Sequence, residues 1–186
     1  MLETLEKGNC PQPSVSENAV PRLELHRKLV ELFTQPQDDN FYLITGESGS
    51  GKTTAIRKAA IEVGAGVIYV DVPSSLLSLP QAITKSFNYT EELNFWQTSS
   101  PICESVLATL SKVANDYYRL SQNKPLVLII DNANQIAKQD LQLWTSLQYF
   151  AKTEAQANRI KIFFVTGTEE MIPTLYLGGS HNDIKC

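Results

Sequence analysis

The chain has 186 residues, of which 42% are hydrophobic and 19% charged, and its formal net charge is -4. Such a composition excludes a disordered chain, suits one domain with a sizeable core, and carries no strong nucleic-acid signal. Three widely spaced cysteines (Cys10, Cys103 and Cys186) read as reduced thiols rather than a disulfide frame, and no apolar run is long enough for a signal peptide or membrane span, so the expected location is intracellular, cytoplasmic or nuclear.

Residues 1–19 are polar, include Gly8, Pro11 and Pro13, and show no sustained period. They are expected to form a flexible leader. At Val20-Pro21-Arg22 a proline is placed to open a helix that runs to about Thr34. Leu25, Leu29, Leu32 and Phe33 mark its buried stripe, with Leu23 and Val30 beside it. His26 lies among them, but a lone histidine flanking an apolar stripe is more often a packed helix residue than a catalytic one. The polar run from Gln35 to Asn40 is a turn.

Phe41 to Thr45 is a short apolar run of the kind a buried parallel strand shows. It leads straight into Gly46-Glu47-Ser48-Gly49-Ser50-Gly51-Lys52-Thr53, a complete G-x-x-x-x-G-K-[ST] phosphate-binding loop. Beyond it, after Thr54, Ala55, Ile56, Ala59 and Ala60 recur at helical spacing with no breaker before Gly64. Strand, loop and helix therefore arrive in the order that phosphate binding requires. The glycines let successive N–H groups turn toward one anion, and the positive end of the helix dipole points at the same place. Lys52 can then reach the β- and γ-phosphates of a nucleotide, and the Thr53 hydroxyl can ligate Mg²⁺. Gly46 through Thr54 are the candidate nucleotide contacts.

A second strand runs from Val67 to Val72, ending beside Asp71, which is either a site residue or, more commonly for such a position, a strand-end cap. A helix from about Leu79 follows, with Ser78 as its cap and Pro80 in its first turn. Asn88 to Ser100 is irregular, and Pro101 opens a long helix with Cys103 on its core face as a small hydrophobe. Leu126-Val127-Leu128-Ile129-Ile130-Asp131 is a buried strand whose tip delivers a carboxylate, a Walker B pattern when paired with the upstream loop. A helix with Leu141, Trp144, Leu147 and Ala151 on one face comes next, then a fourth strand over Ile160–Thr166. Residues 172–186 form an irregular C-terminal tail, which leaves 20–171 as the core domain.

Alternating strands and helices predict a three-layer α/β/α core around a parallel sheet, with ligand at the carboxyl ends of the strands. Loop, Walker B strand and polar strand end together resemble the P-loop NTPases of the AAA+/STAND kind. The spacing VPR…GESGSGKTT…GVIYVDVP…IIDN is similar to fungal ATPase modules, including those of Crinkler-type effector proteins. The resemblance implies ATP and Mg²⁺ as cofactors, with Thr53 and Asp131 at the metal. It also implies that Val20, Pro21 and Arg22 lie over the adenine, and that Thr166 and the residue after Asp131 have catalytic roles.

Two departures limit it. Where the family carries a glutamate after the Walker B aspartate, this chain has Asn132, whose amide cannot accept a proton from water. Glu47, Glu169 and Glu170 are the rival bases. No arginine follows Arg159, and neither a helical lid nor a fifth strand is legible after Thr166. The strand Phe41–Thr45 is then expected at a sheet edge, which invites self-association or a protein partner unless the leader or the tail covers it. The favoured function is an ATP-binding module that hydrolyses weakly or only in an assembly. A non-hydrolysing nucleotide-gated switch is the alternative. A small-molecule phosphotransferase is less favoured, for want of a lid and late basic residues.

Overall fold

A computed structural model describes residues 7–12, 22–35, 39–88, 102–121, 124–167 and 182–185. Strands β1 (Tyr42–Thr45), β2 (Val67–Asp71), β3 (Leu126–Asp131) and β4 (Ile160–Val165) form where apolar residues run on, and all but Asp71 of these residues are buried. A fifth strand, β5 (Asn182–Lys185), completes one sheet in the order β2-β3-β4-β1-β5, with every pairing parallel. Parallel neighbours need long crossovers, and helices supply them. They are α1 (Leu23–Thr34), α2 (Lys52–Val63), α3 (Leu79–Ser86), α4 (Ile102–Leu120), α5 (Asn134–Gln139) and α6 (Leu141–Gln156).

Side-chain alternation along each strand divides the core into two layers. Leu43, Ile68, Val70, Leu128 and Phe164 pack under the α3, α4 and α6 residues Ile83, Leu110 and Leu147. Tyr42, Ile44, Tyr69, Ile129 and Phe163 pack on the opposite face against Leu29 and Phe33 of α1 and Ala55, Ile56 and Ala59 of α2. The three-layer α/β/α core expected from the sequence is the observed one.

The tail is not irregular throughout: it returns to pair β5 alongside β1, with Leu43 opposite Asp183 and Ile44 opposite Ile184, and so covers that edge, one of the two outcomes expected for it. β1 is therefore internal, and the fifth strand exists. Its sequence hides it because an outer strand needs only one inward apolar residue, and Ile184, 3% exposed, is that residue. Deleting residues 182–186 should remove this burial, about 2 kcal/mol, and bare the main chain of β1. Light scattering should then show association, together with a lower unfolding midpoint; an unaltered monomer would contradict the role assigned to β5.

Within the leader, residues 7–12 lie against the core rather than standing free. Asn9 stands beside β2 and imitates a neighbouring strand: its Oδ1 accepts from the Tyr69 N–H at 2.7 Å and its Nδ2 donates to the Tyr69 carbonyl at 3.3 Å. The same amide reaches the Ser86 carbonyl at 2.6 Å. Gly8 approaches so closely that an added Cβ would lie 2.4 Å from the Gly64 carbonyl oxygen, at a left-handed φ of +73°. Cys10 packs against the α2 layer, where burial pushes its thiol up to about 11.

Smaller corrections follow the same logic. Ser78 makes no side-chain cap, because a 3-10 turn over Leu76–Ser78 runs directly into α3. The helix expected after β3 is α6, begun by Asp140, whose side chain caps Leu143 N–H at 2.9 Å, and the short α5 before it was not anticipated. Trp144, Leu147 and Ala151 are buried as expected, while Leu141, in the first turn, is exposed and Leu143 is buried instead.

Candidate functional site

β1 ends at Thr45 and the chain turns through the glycine loop into α2. Gly49 and Gly51 adopt φ of +79° and +87°, the left-handed region that glycine enters without strain. Lys52 opens α2 with a buried side chain, and its Nζ donates to the carbonyl oxygens of Gly46 at 2.8 Å and Glu47 at 2.7 Å, and to Ser50 Oγ at 3.2 Å. The ammonium is thus folded inside the ring of the loop. Glu47, Ser48 and Gly49 are exposed on the outside, while Thr53 and Thr54 are half-buried in the first turn of the helix. Arg22, exposed just before α1, passes over the loop: its Nε lies 3.8 Å from where a Cβ on Gly51 would sit.

Asp131 closes β3 and is 2% exposed. Its Oδ2 accepts from the Tyr69 hydroxyl, and its Oδ1 accepts from the Asn132 backbone N–H at 2.8 Å. Burial, and then the neighbouring Asp131 charge, push the Tyr69 phenol far above its usual range, so it stays a donor. Arg57, one turn beyond Thr53 on α2, lies 4.7 Å from the centre of the Tyr69 ring. Neither Tyr69 nor Arg57 stood out in the sequence. The available signal was parity: if β2 pairs with β3, a residue two before Asp71 shares a face with Ile129 and Asp131.

Asp71 and Asp131 are cross-strand partners at the ends of β2 and β3. Asp71 does not act as the backbone cap favoured above. Its Oδ1 accepts from Asn132 Nδ2 at 2.7 Å and its Oδ2 pairs with Arg57 at 3.4 Å. Asn132 has φ +58°, a left-handed position that asparagine tolerates better than most residues, and its carbonyl accepts from Gln135 N–H at 2.9 Å as the chain turns into α5. At the end of β4, Thr166 donates its backbone N–H to the Ile44 carbonyl at 2.9 Å, and its buried Oγ1 has no hydrogen-bond partner among the described residues. An orphaned hydroxyl between the β1 and β3 tips is what a site shaped for a further polar group leaves behind.

These features fit a Mg-nucleotide. Among the described residues, no cluster of three or more His, Cys, Asp and Glu could hold a metal by protein groups alone. An ion held by Thr53 and Asp131 would therefore take phosphate oxygens and waters as its remaining ligands, as Mg²⁺ prefers. His26 bonds to Glu62 at 2.7 Å and links α1 to α2, the packing role expected of it. Val20, Pro21, Glu169, Glu170, Cys186 and the side chain of Cys103 lie outside the described residues.

A phosphate loop at the β1 tip, an acid at the β3 tip and a polar group at the β4 tip, on a sheet of this order, define a nucleotide-binding P-loop NTPase module. The chain belongs to the AAA domain family, whose model matches residues 34–172. Its fold is similar to that of Cdc6p from Pyrobaculum aerophilum, with a TM-score of 0.60 and 17% identity over 93% of this chain and 47% of that one. A Walker-type ATPase of Pyrococcus abyssi is similar with a TM-score of 0.56 and 16% identity, over 94% of this chain and 55% of that one. The chain thus spans about half the length of each. No curated protein sequence matches it. Among the described residues, no helix is long and apolar enough to cross a membrane.

Proposed function

We propose that this chain binds Mg·ATP at Gly46–Thr54 and hydrolyses it slowly, alone or within an assembly. The observation that carries the reading is Lys52, a buried ammonium held by the loop's own carbonyls 2.7–2.8 Å away, where a phosphate would replace them as its partner. The αL glycines and the α2 N-terminus supply the surrounding donors. The similarity in fold to a Walker-type ATPase supports ATP as the nucleotide, and the family resemblance would have Val20, Pro21 and Arg22 lie over its base. Mg²⁺ would neutralise charge between the β- and γ-phosphates, with Thr53 and Asp131 as its protein ligands. Thr166, whose hydroxyl has no partner among the described residues, would hold a γ-phosphate oxygen or the water beside it.

Slow rather than fast turnover is expected because the position after Asp131 carries no base of its own. The Asn132 amide cannot take a proton from water and is already committed to Asp71. The same observation supports the second reading, a module of the STAND kind that holds ATP as a switch and passes its state to a partner or another copy.

The test is a fluorescent ATP-analogue titration followed by single-turnover hydrolysis. Saturable Mg-dependent binding with slow conversion to ADP is expected. Binding without conversion would favour the switch, and absence of binding would end both readings.

A further inference from the structure

We propose that Asp71 is the carboxylate that activates water in this chain, with Asn132 as the arm that holds it, an inference that rests on the Mg·ATP reading above. The residue following Asp131 is an amide whose backbone sits at φ +58°. Its type is accounted for by the turn it makes, since asparagine is among the few residues at ease there. What its side chain does is separate. Nδ2 donates to Asp71 Oδ1 at 2.7 Å, so the tip of β3 carries a carboxylate after all, supplied by the neighbouring strand.

Among the acids of the described residues, comparison of their surroundings points to the same residue. Asp131 is 2% exposed, and both its oxygens already accept hydrogen bonds, from Tyr69 and from the Asn132 backbone. Glu47 is exposed on the outside of the loop while its carbonyl faces Lys52. Asp71 stands beside Asp131 in register, and its side chain is 53% exposed, open to water. Arg57 approaches its other oxygen only to 3.4 Å, and from α2, the helix that begins at the phosphate loop. The carboxylate is therefore oriented by two donors without being enclosed.

In the step assigned to it, a water oxygen forms a bond to the γ-phosphorus while the bond from that phosphorus to the bridging oxygen breaks. The electron pair leaves on ADP, and the water's proton passes to Asp71. A carboxylate serving in this way contributes typically 10²–10⁴-fold.

Asp71→Asn tests this cleanly, because the amide keeps the shape and can still accept from Asn132 while losing the ability to take a proton. Three measurements are needed: affinity for a fluorescent ATP analogue, single-turnover hydrolysis of bound ATP, and capture of ADP–aluminium fluoride, which mimics the transition state without turnover. Expected are an affinity within about twofold of the wild type, hydrolysis at least about tenfold slower, and a parallel loss of ADP–aluminium fluoride capture. The exchanged pair Asp71→Asn/Asn132→Asp should regain rate over Asp71→Asn, aspartate being chosen because it tolerates the left-handed turn.

Wild-type hydrolysis in Asp71→Asn would overturn the proposal, and so would an exchanged pair no faster than the single variant. Loss of affinity in step with rate would make Asp71 a structural residue and overturn it too. Wild-type protein that binds ATP without any turnover would remove the water-activating role while leaving the binding reading intact. Wild-type protein that binds no ATP would remove both.

Discussion

Lys52→Ala is expected to weaken Mg·ATP binding at least tenfold, about 1.4 kcal/mol. Two effects add. The variant loses the ammonium that would meet the β- and γ-phosphates in a partly desolvated site, where charge-assisted hydrogen bonds are strongest. It also loses the brace that ties the Gly46 and Glu47 carbonyls together, at 2.8 and 2.7 Å, so the loop's N–H groups are less well set before the nucleotide arrives. Lys52→Arg should not rescue, since a planar guanidinium cannot replace a compact ammonium between two carbonyls. Thr53→Ala separates the metal from the phosphate. It should weaken binding at least about tenfold in Mg²⁺ yet leave the residual affinity in EDTA unaltered. Titration of the three variants with a fluorescent ATP analogue, with and without Mg²⁺, decides the matter. Unchanged affinity in both Lys52→Ala and Thr53→Ala would sink the phosphate-loop assignment.

The largest stability effect should come from a residue far from the loop. Lys161 lies within β4, fully buried, and its Nζ donates to the carbonyls of Leu32 at 2.7 Å and Gln35 at 2.8 Å. Those oxygens end α1, where carbonyls lack intrahelical partners and the dipole is negative, so a buried cation is favourable there. Lys161→Ala would strip two charge-assisted hydrogen bonds and leave a cavity, costing about 3 kcal/mol or more. For a chain of this size that lowers the unfolding midpoint by roughly 10 °C. Lys161→Met, which keeps the volume and removes the donors, should recover part of the loss. A calorimetric midpoint within a degree or two of wild type for Lys161→Ala would show that Lys161 does not carry the α1 terminus.

What was legible in the sequence was local. Phe41 to Ala60 reads as strand, loop and helix because the hydrophobic run, the glycines and the helical spacing are contiguous, and each is a signal over a few residues. Leu126–Asp131 was legible for the same reason, being a buried strand that ends in an acid. The structure places both as read, with β3 running from Leu126 to Asp131 and α2 beginning at Lys52.

The residues that escaped notice act singly and at a distance. Lys161 is one polar residue inside an apolar strand, and its bonds to the Leu32 and Gln35 carbonyls depend on the arrival of α1 over that face. Tyr69 reads as one more strand aromatic until β2 and β3 pair, when its hydroxyl meets Asp131, 62 positions away. Asn9 and Ile184 each secure a segment without any period, since one amide matches one backbone N–H and C=O, and one side chain fills one pocket.

The sequence by itself therefore determined that the chain has a phosphate loop on a strand-to-helix turn, an acid on a second strand, and a parallel sheet to hold them. The tertiary structure alone decided which strand stands beside which. That order puts Asp71 against Asn132, Tyr69 under Asp131 and β5 along β1. The physical reason is that strand pairing joins residues remote in sequence through backbone hydrogen bonds that every residue offers alike, so the side chains that meet across the pairing leave no local pattern behind.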